Sequence, residues 1–205
     1  MDSNISNIET CIIIDPLYDF ISLDGVYCTK FGFEDTIDIR NCMIPIQCVA
    51  SCVANNKNSM YLIIIKSKYY INQFEEIPTL CSTPKGQCIE LNIDGIDTDT
   101  NIDIDTGCIP IIIEKTTNNI QDCSDQQEIL RSLTYDKHIY ICGITTTSCV
   151  NTSIHALLPT CKSISVSKDC IASRRSNRIL EQEIFSKWNK ISKLNIYDNW
   201  KDCFV

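Results

Sequence analysis

Cys149 stands in the run GITTTSCV (143–150), between one apolar stretch and the start of another. A cysteine placed between a buried strand and a helix meets exposed backbone N–H groups and the positive end of the helix dipole, and both favour a thiolate. The same N–H groups can receive a developing oxyanion. The residues just ahead of it, Thr145, Thr146, Thr147 and Ser148, are small and polar, as a tight strand-to-helix turn requires. A buried structural thiol beside a Ser/Thr helix cap fits the same segment, and the segment alone leaves both readings open.

A thiol nucleophile needs a base, most often histidine. His138 and His155 are the only two in the chain. His138 opens a predicted strand at the end away from Cys149, and His155 lies six residues into the following helix, pointing away from its start. Asp15 and Lys115 remain, each directly behind an apolar run. An aspartate can take the thiol proton and pass it to a leaving amine if its surroundings tune it. A lysine beside it keeps both anions charged and favours the thiolate. Each also has a plainer role, Asp15 as a helix cap and Lys115 as a surface ion-pair partner of Glu114.

Apolar runs at 11–14, 60–66, 110–114, 138–142 and 163–167 predict buried strands, with a short last one at 196–197. Helical spacing is predicted over 38–55, 125–133, 149–158 and 176–191, with Pro45 an awkward resident of the first. Alternating strands and helices imply an α/β fold, a mostly parallel central sheet covered on both faces. Sites in such sheets lie beyond the carboxyl ends of the strands. Asp15, the segment after Lys66, Lys115 and the turn before Cys149 all fall there.

The chain has 205 residues, 44% of them apolar, which suits a single domain over 1–205 with a substantial core. A net charge of -8 disfavours nucleic acid and anionic membrane surfaces as partners. No secretory leader is visible in the opening MDSNISNIET, and the longest apolar runs are strand-sized, so no bilayer-spanning segment is expected. The fourteen cysteines contain no CxxC pair and sit in apolar segments, so reduced thiols in a cytoplasmic protein are expected. Residues 92–107 (NIDGIDTDTNIDIDTG) are Asp-rich, but a calcium loop would need a glycine after Asn101 and a glutamate where Cys108 stands. A solvated acidic loop over 94–105 is expected instead.

Three stretches together, CIIIDPLYDFI (11–21), IPIIIEK (109–115) and YICGITTTSCVNTSIHALL (140–158), resemble the isochorismatase-like cysteine hydrolases, the superfamily of nicotinamidases and N-carbamoylsarcosine amidohydrolases. The resemblance covers roughly residues 10–175, with weaker echoes at 83–91 and 165–173. It implies a three-layer α/β/α fold of Rossmann-like topology. It implies Cys149 as nucleophile, Asp15 as general base and then acid, and Lys115 positioning the pair. It implies a cis peptide at Ile144–Thr145, with the amides of Thr145 and Cys149 as the oxyanion hole.

The departures narrow the expectation. Nicotinamidases carry an Asp-x-His and a further His that bind a metal, whereas KSKYYINQF (66–74) holds no histidine. No metal and no other cofactor are therefore expected, and nicotinamide is demoted as a substrate. Isochorismate-cleaving members typically lack the cysteine, so Cys149 favours amide chemistry. The Asp that usually stands two residues before the nucleophile is Thr147 here. Phe20, Tyr69, Tyr70 and Ile120 are candidate substrate-binding residues, with Tyr18 and Phe74 beside them. Arg174 and Arg175 are candidates for holding a substrate carboxylate. The leading expectation is a metal-independent hydrolase of a small amide or ureido substrate, acting through a thioester. The alternatives are an idle isochorismatase-fold scaffold and a nicotinamidase with atypical ligands. The family also suggests a homodimer or homotetramer.

Overall fold

The computed structural model describes residues 8–55, 60–93 and 110–204. The Asp-rich segment 94–105 and Cys108 lie outside the described residues. Six strands, β1 (Thr10–Ile14), β2 (Tyr61–Ser67), β3 (Ile111–Lys115), β4 (His138–Ile144), β5 (Ser163–Ala172) and β6 (Leu194–Tyr197), form one sheet in the order β3-β2-β1-β4-β5-β6. Every pairing between them is parallel. Their isoleucine-rich sequences follow from burial on both faces: all five residues of β1 are buried.

The helices are α1 (Tyr18–Ile21), α2 (Val26–Phe31), α3 (Phe33–Asn55), α4 (Gln127–Thr134), α5 (Asn151–Leu157) and α6 (Arg178–Trp188). The step from β1 to β2 runs one way across the sheet and the steps from β3 onwards run the other way. Right-handed crossovers therefore put α3 on one face and α4, α5 and α6 on the opposite face, giving three layers.

The sequence reading missed α1 and α2, which are short and sit in the connection before α3. It also started α3 five residues late. Glu34 and Asp35 in the first turn complement the helix dipole. The carbonyl that Pro45 leaves without a donor belongs to Asn41, on the exposed side, where water can serve it. Contrary to expectation, α3 is long and apolar enough to cross a membrane by length and composition. Its apolar residues have another use: Ile39, Met43, Ile46, Val49, Ala50 and Val53 are buried in the core.

The described cysteines are all free, most of them buried. Burial pushes Cys170 and Cys203 up to about 12 and raises Cys42 and Cys142 as well. The sign of the consequence is definite. Above the ordinary thiol range, near 8.5, the unfolded chain releases protons that the folded chain keeps, so stability falls as pH rises. In reductant, urea unfolding should show stability level up to about pH 8 and then dropping by about 1.4 kcal/mol per pH unit for each such thiol. A flat profile from pH 8 to 10 would contradict the burial of these sulfurs.

Candidate active site

The strand order switches direction beside β1, and in open parallel sheets that crevice is where ligands bind. Ile14, the last residue of β1, pairs with Ile65 on β2 and Gly143 on β4. Asp15 follows with φ 52°, in the left-handed region that aspartate tolerates better than most residues. This bend turns its side chain onto β2, where Oδ1 accepts the Ser67 N–H at 2.9 Å. Ser67 pairs in register with Lys115, the last residue of β3, so the lysine arrives from the next strand over. On the other side, a Cβ at position 143 would lie 2.1 Å from the Ile14 carbonyl oxygen, and only glycine allows β4 to come so close at φ 126°.

Lys115 is fully buried and central. Its Nζ lies 2.9 Å from Asp15 Oδ2, an ion pair without the alignment of a good hydrogen bond. It donates to Ser67 Oγ at 2.6 Å, to the Thr117 carbonyl at 3.1 Å and to Cys149 Sγ at 3.4 Å. The three residues singled out in the sequence thus meet at one point. The surface ion pair considered for Lys115 is not formed; Glu114 pairs with Lys66 and Lys68 instead.

Cys149 does not sit at an ordinary helix start. Residues Thr146–Val150 form one π-helical turn, and α5 begins only afterwards. The peptide Ile144–Thr145 is cis. The Thr145 carbonyl accepts the amides of Ser148 and Val150, each at 3.1 Å. The Thr147 amide donates to Ser173 Oγ at 2.9 Å, tying the turn to the residue after β5. Of the two amides expected to receive an oxyanion, that of Cys149 lies in this turn and that of Thr145 is at its cap.

The electrostatics differ from the sequence reading, which had the lysine favour a thiolate. Burial raises the Cys149 pKa, the Lys115 charge pulls it back, and the Asp15 carboxylate pushes it up again; the net shift is upward. Cys149 therefore rests as a thiol. Burial works against the Lys115 ammonium, but the Asp15 carboxylate favours it, and the lysine is held above its ordinary value. The arrangement suits proton transfer on demand: a thiol, an anionic acceptor for its proton, and a fixed cation that steadies whichever of them is charged. It is also enclosed, with Cys149 3% exposed and Asp15 and Lys115 at 0%.

The other candidates divide. Tyr69 is brought to the centre, its hydroxyl 3.3 Å from Lys115 Nζ and 3.5 Å from Cys149 Sγ, with Phe74 packed edge-on against its ring. Tyr70, its neighbour, is 72% exposed, on the opposite side of the backbone. Phe20 is buried edge-on to Tyr27, and Ile120 is fully buried in the core. Tyr18 bonds Asp24 and sits under Lys85. Arg174 is held between the Phe31 ring and Asp35, and Arg175 by Asp38 and Glu34, so both guanidinium groups already have partners.

Asp19 is a staple: it accepts the Cys81 amide at 2.6 Å and packs on Gly86, where a Cβ would meet its carboxylate at 2.2 Å. Ser67, Asn118 and Tyr27 were not anticipated. Ser67 is the last residue of β2 and Asn118 lies three residues past β3, polar positions present in the sequence but shared by many strand ends and loops. Tyr27 is buried within electrostatic range of Cys149, with a pKa raised by burial and then by that neighbour.

The end of β2 and the two residues after it are Lys66, Ser67, Lys68 and Tyr69, none of them a histidine or a carboxylate. No group of three His, Cys, Asp or Glu suited to a metal occurs among the described residues. His138 contacts Ser163 Oγ at 2.7 Å, and His155 is exposed on α5.

No protein-family model matches the sequence, and no curated protein matches it either. Solved structures do match in three dimensions. An isochorismatase-like hydrolase from Alkaliphilus metalliredigens superposes with a TM-score of 0.65 at 12% identity, covering 99% of both chains. N-carbamoylsarcosine amidase from Thermoplasma acidophilum gives 0.62 at 16%, covering 93% of this chain and 95% of its own. Pyrazinamidase of Pyrococcus horikoshii, solved in complex with zinc, gives 0.57 at 17%, covering 92% and 97%. The chain has the isochorismatase-like hydrolase fold over essentially its whole length.

Proposed function

We propose that this chain, with the isochorismatase-like hydrolase fold, is a cysteine hydrolase of a small amide or ureido compound that works without a metal. One observation carries the reading: the Lys115 ammonium touches both the Asp15 carboxylate and the Cys149 sulfur, all three buried away from bulk water.

Asp15 takes the thiol proton as Sγ attacks the carbonyl carbon. Its Oδ2 lies 2.9 Å from the Lys115 ammonium, and a carboxylate oxygen has a further lone pair that can take that proton. The carbonyl oxygen becomes an oxyanion held by the Thr145 and Cys149 amides. The C–N bond then breaks, and Asp15 returns the proton to the departing nitrogen as ammonia or an amine leaves. Water, deprotonated by Asp15, attacks the thioester, releasing a carboxylic acid and restoring the thiol. Lys115 keeps Asp15 anionic before each transfer and steadies the sulfur when it carries charge. The free thiols suit a reducing compartment such as the cytoplasm.

A screen of small primary amides and ureido compounds for ammonia release tests this. Turnover should persist unchanged in EDTA. Release of nicotinic acid that a chelator abolishes would instead support an atypical metal-dependent nicotinamidase. The closure of the site also keeps alive a second reading, a non-catalytic oligomeric scaffold on this fold. In that case no compound in the screen would be hydrolysed.

A further inference from the structure

Asn118 lies in the loop after β3 and is partly buried. Its side-chain oxygen accepts the Tyr69 hydroxyl at 3.0 Å and stands 3.5 Å from Cys149 Sγ. A carbonyl oxygen has two lone pairs. One takes the tyrosine O–H. The other faces the sulfur and is served in the resting state by the thiol proton. Burial raises the Tyr69 pKa, so its hydroxyl stays a donor.

Once Asp15 removes the thiol proton, that second lone pair has lost its donor and looks onto an electron-rich sulfur. An acceptor left in that condition, partly screened from water, is costly. The group that can satisfy it must sit beside Sγ and carry a hydrogen, and the Lys115 ammonium already serves Asp15, Ser67, Thr117 and the sulfur itself.

We infer that Asn118 is a specificity-determining residue, held by Tyr69, whose side-chain oxygen accepts an N–H from the substrate's scissile amide and so selects amides over esters. This rests on Cys149 being the nucleophile. An amide that donates to Asn118 restores the lost bond as the sulfur attacks, whereas an ester leaves it unmade. Sites built to hydrogen-bond an N–H discriminate strongly against analogues lacking it.

The test uses two alkylating probes, iodoacetamide and methyl iodoacetate, with the Cys149 rate read by peptide mass spectrometry. Each forms an S–C bond and expels iodide while Asp15 takes the thiol proton, but only the first carries N–H groups. The readout is the amide-to-ester rate ratio at Cys149. Asn118→Leu should lower that ratio at least about tenfold, the effect of one lost hydrogen bond in a buried site. Asn118→Asp keeps an acceptor oxygen, so its ratio should stay within about threefold of wild type even if both rates fall. An unchanged ratio in Asn118→Leu overturns the inference while leaving the nucleophile intact. If Cys149 in the wild type reacts with both probes no faster than the equally buried Cys142, the nucleophile reading fails and this inference with it.

Discussion

Cys149→Ala is expected to abolish amide hydrolysis, lowering kcat/KM at least about a thousandfold, with little change in stability. The atom that forms the thioester is gone, and the effect of losing a nucleophile is of this order or larger because the remaining groups cannot act without it. Asp15 and Lys115 keep each other as partners in this variant, so no buried charge is orphaned. Cys149→Ser should be nearly as inactive, because a hydroxyl is much harder to deprotonate than a thiol. Ammonia release measures the first effect, and urea unfolding confirms that the fold persists. If Cys149→Ala retains more than a tenth of wild-type turnover, the nucleophile has been misassigned.

Lys115→Met is expected to cost about 3–5 kcal/mol of unfolding free energy, the typical penalty for removing one member of a buried pair. Asp15 would keep the Ser67 amide but stay buried without a cation. Catalysis should be lost as well, since proton transfer to and from Asp15 relies on that charge. The double variant Asp15→Asn/Lys115→Met removes both charges and should recover most of the stability but none of the activity. That split between stability and turnover is what separates a working pair from a packing element.

The pH dependence has a definite sign. The Lys115 pKa is raised in the fold, so its contribution is complete below the ordinary lysine range and disappears as pH rises through the folded value. The penalty of Lys115→Met should therefore be constant from pH 6 to 9 and shrink only in strong alkali. A penalty under 1 kcal/mol at pH 7 would mean the pair is solvated in solution.

Much of this protein was legible along the chain because the signals are local. Short apolar runs rich in isoleucine mark strands buried on both faces, and they placed Asp15, Lys115 and the Cys149 turn at strand ends. The free cysteines were legible for the same reason: a thiol inside an apolar run packs as a small hydrophobe. Short elements were not, and α1 and α2 lack the length to display a period.

The tertiary structure alone decided the rest. Strand order, which brings β1 beside both β2 and β4, depends on pairings between segments far apart in the chain. So does the company around the sulfur: Ser67, Tyr69 and Asn118 carry no distinctive pattern, and they matter only because two strand ends face one turn. Most plainly, the direction of the Cys149 shift could not be read from residue types. A lysine lowers a thiol pKa, a carboxylate raises it, and burial raises it further. Which of these wins depends on distances and on the exclusion of water, and neither exists until the chain has folded.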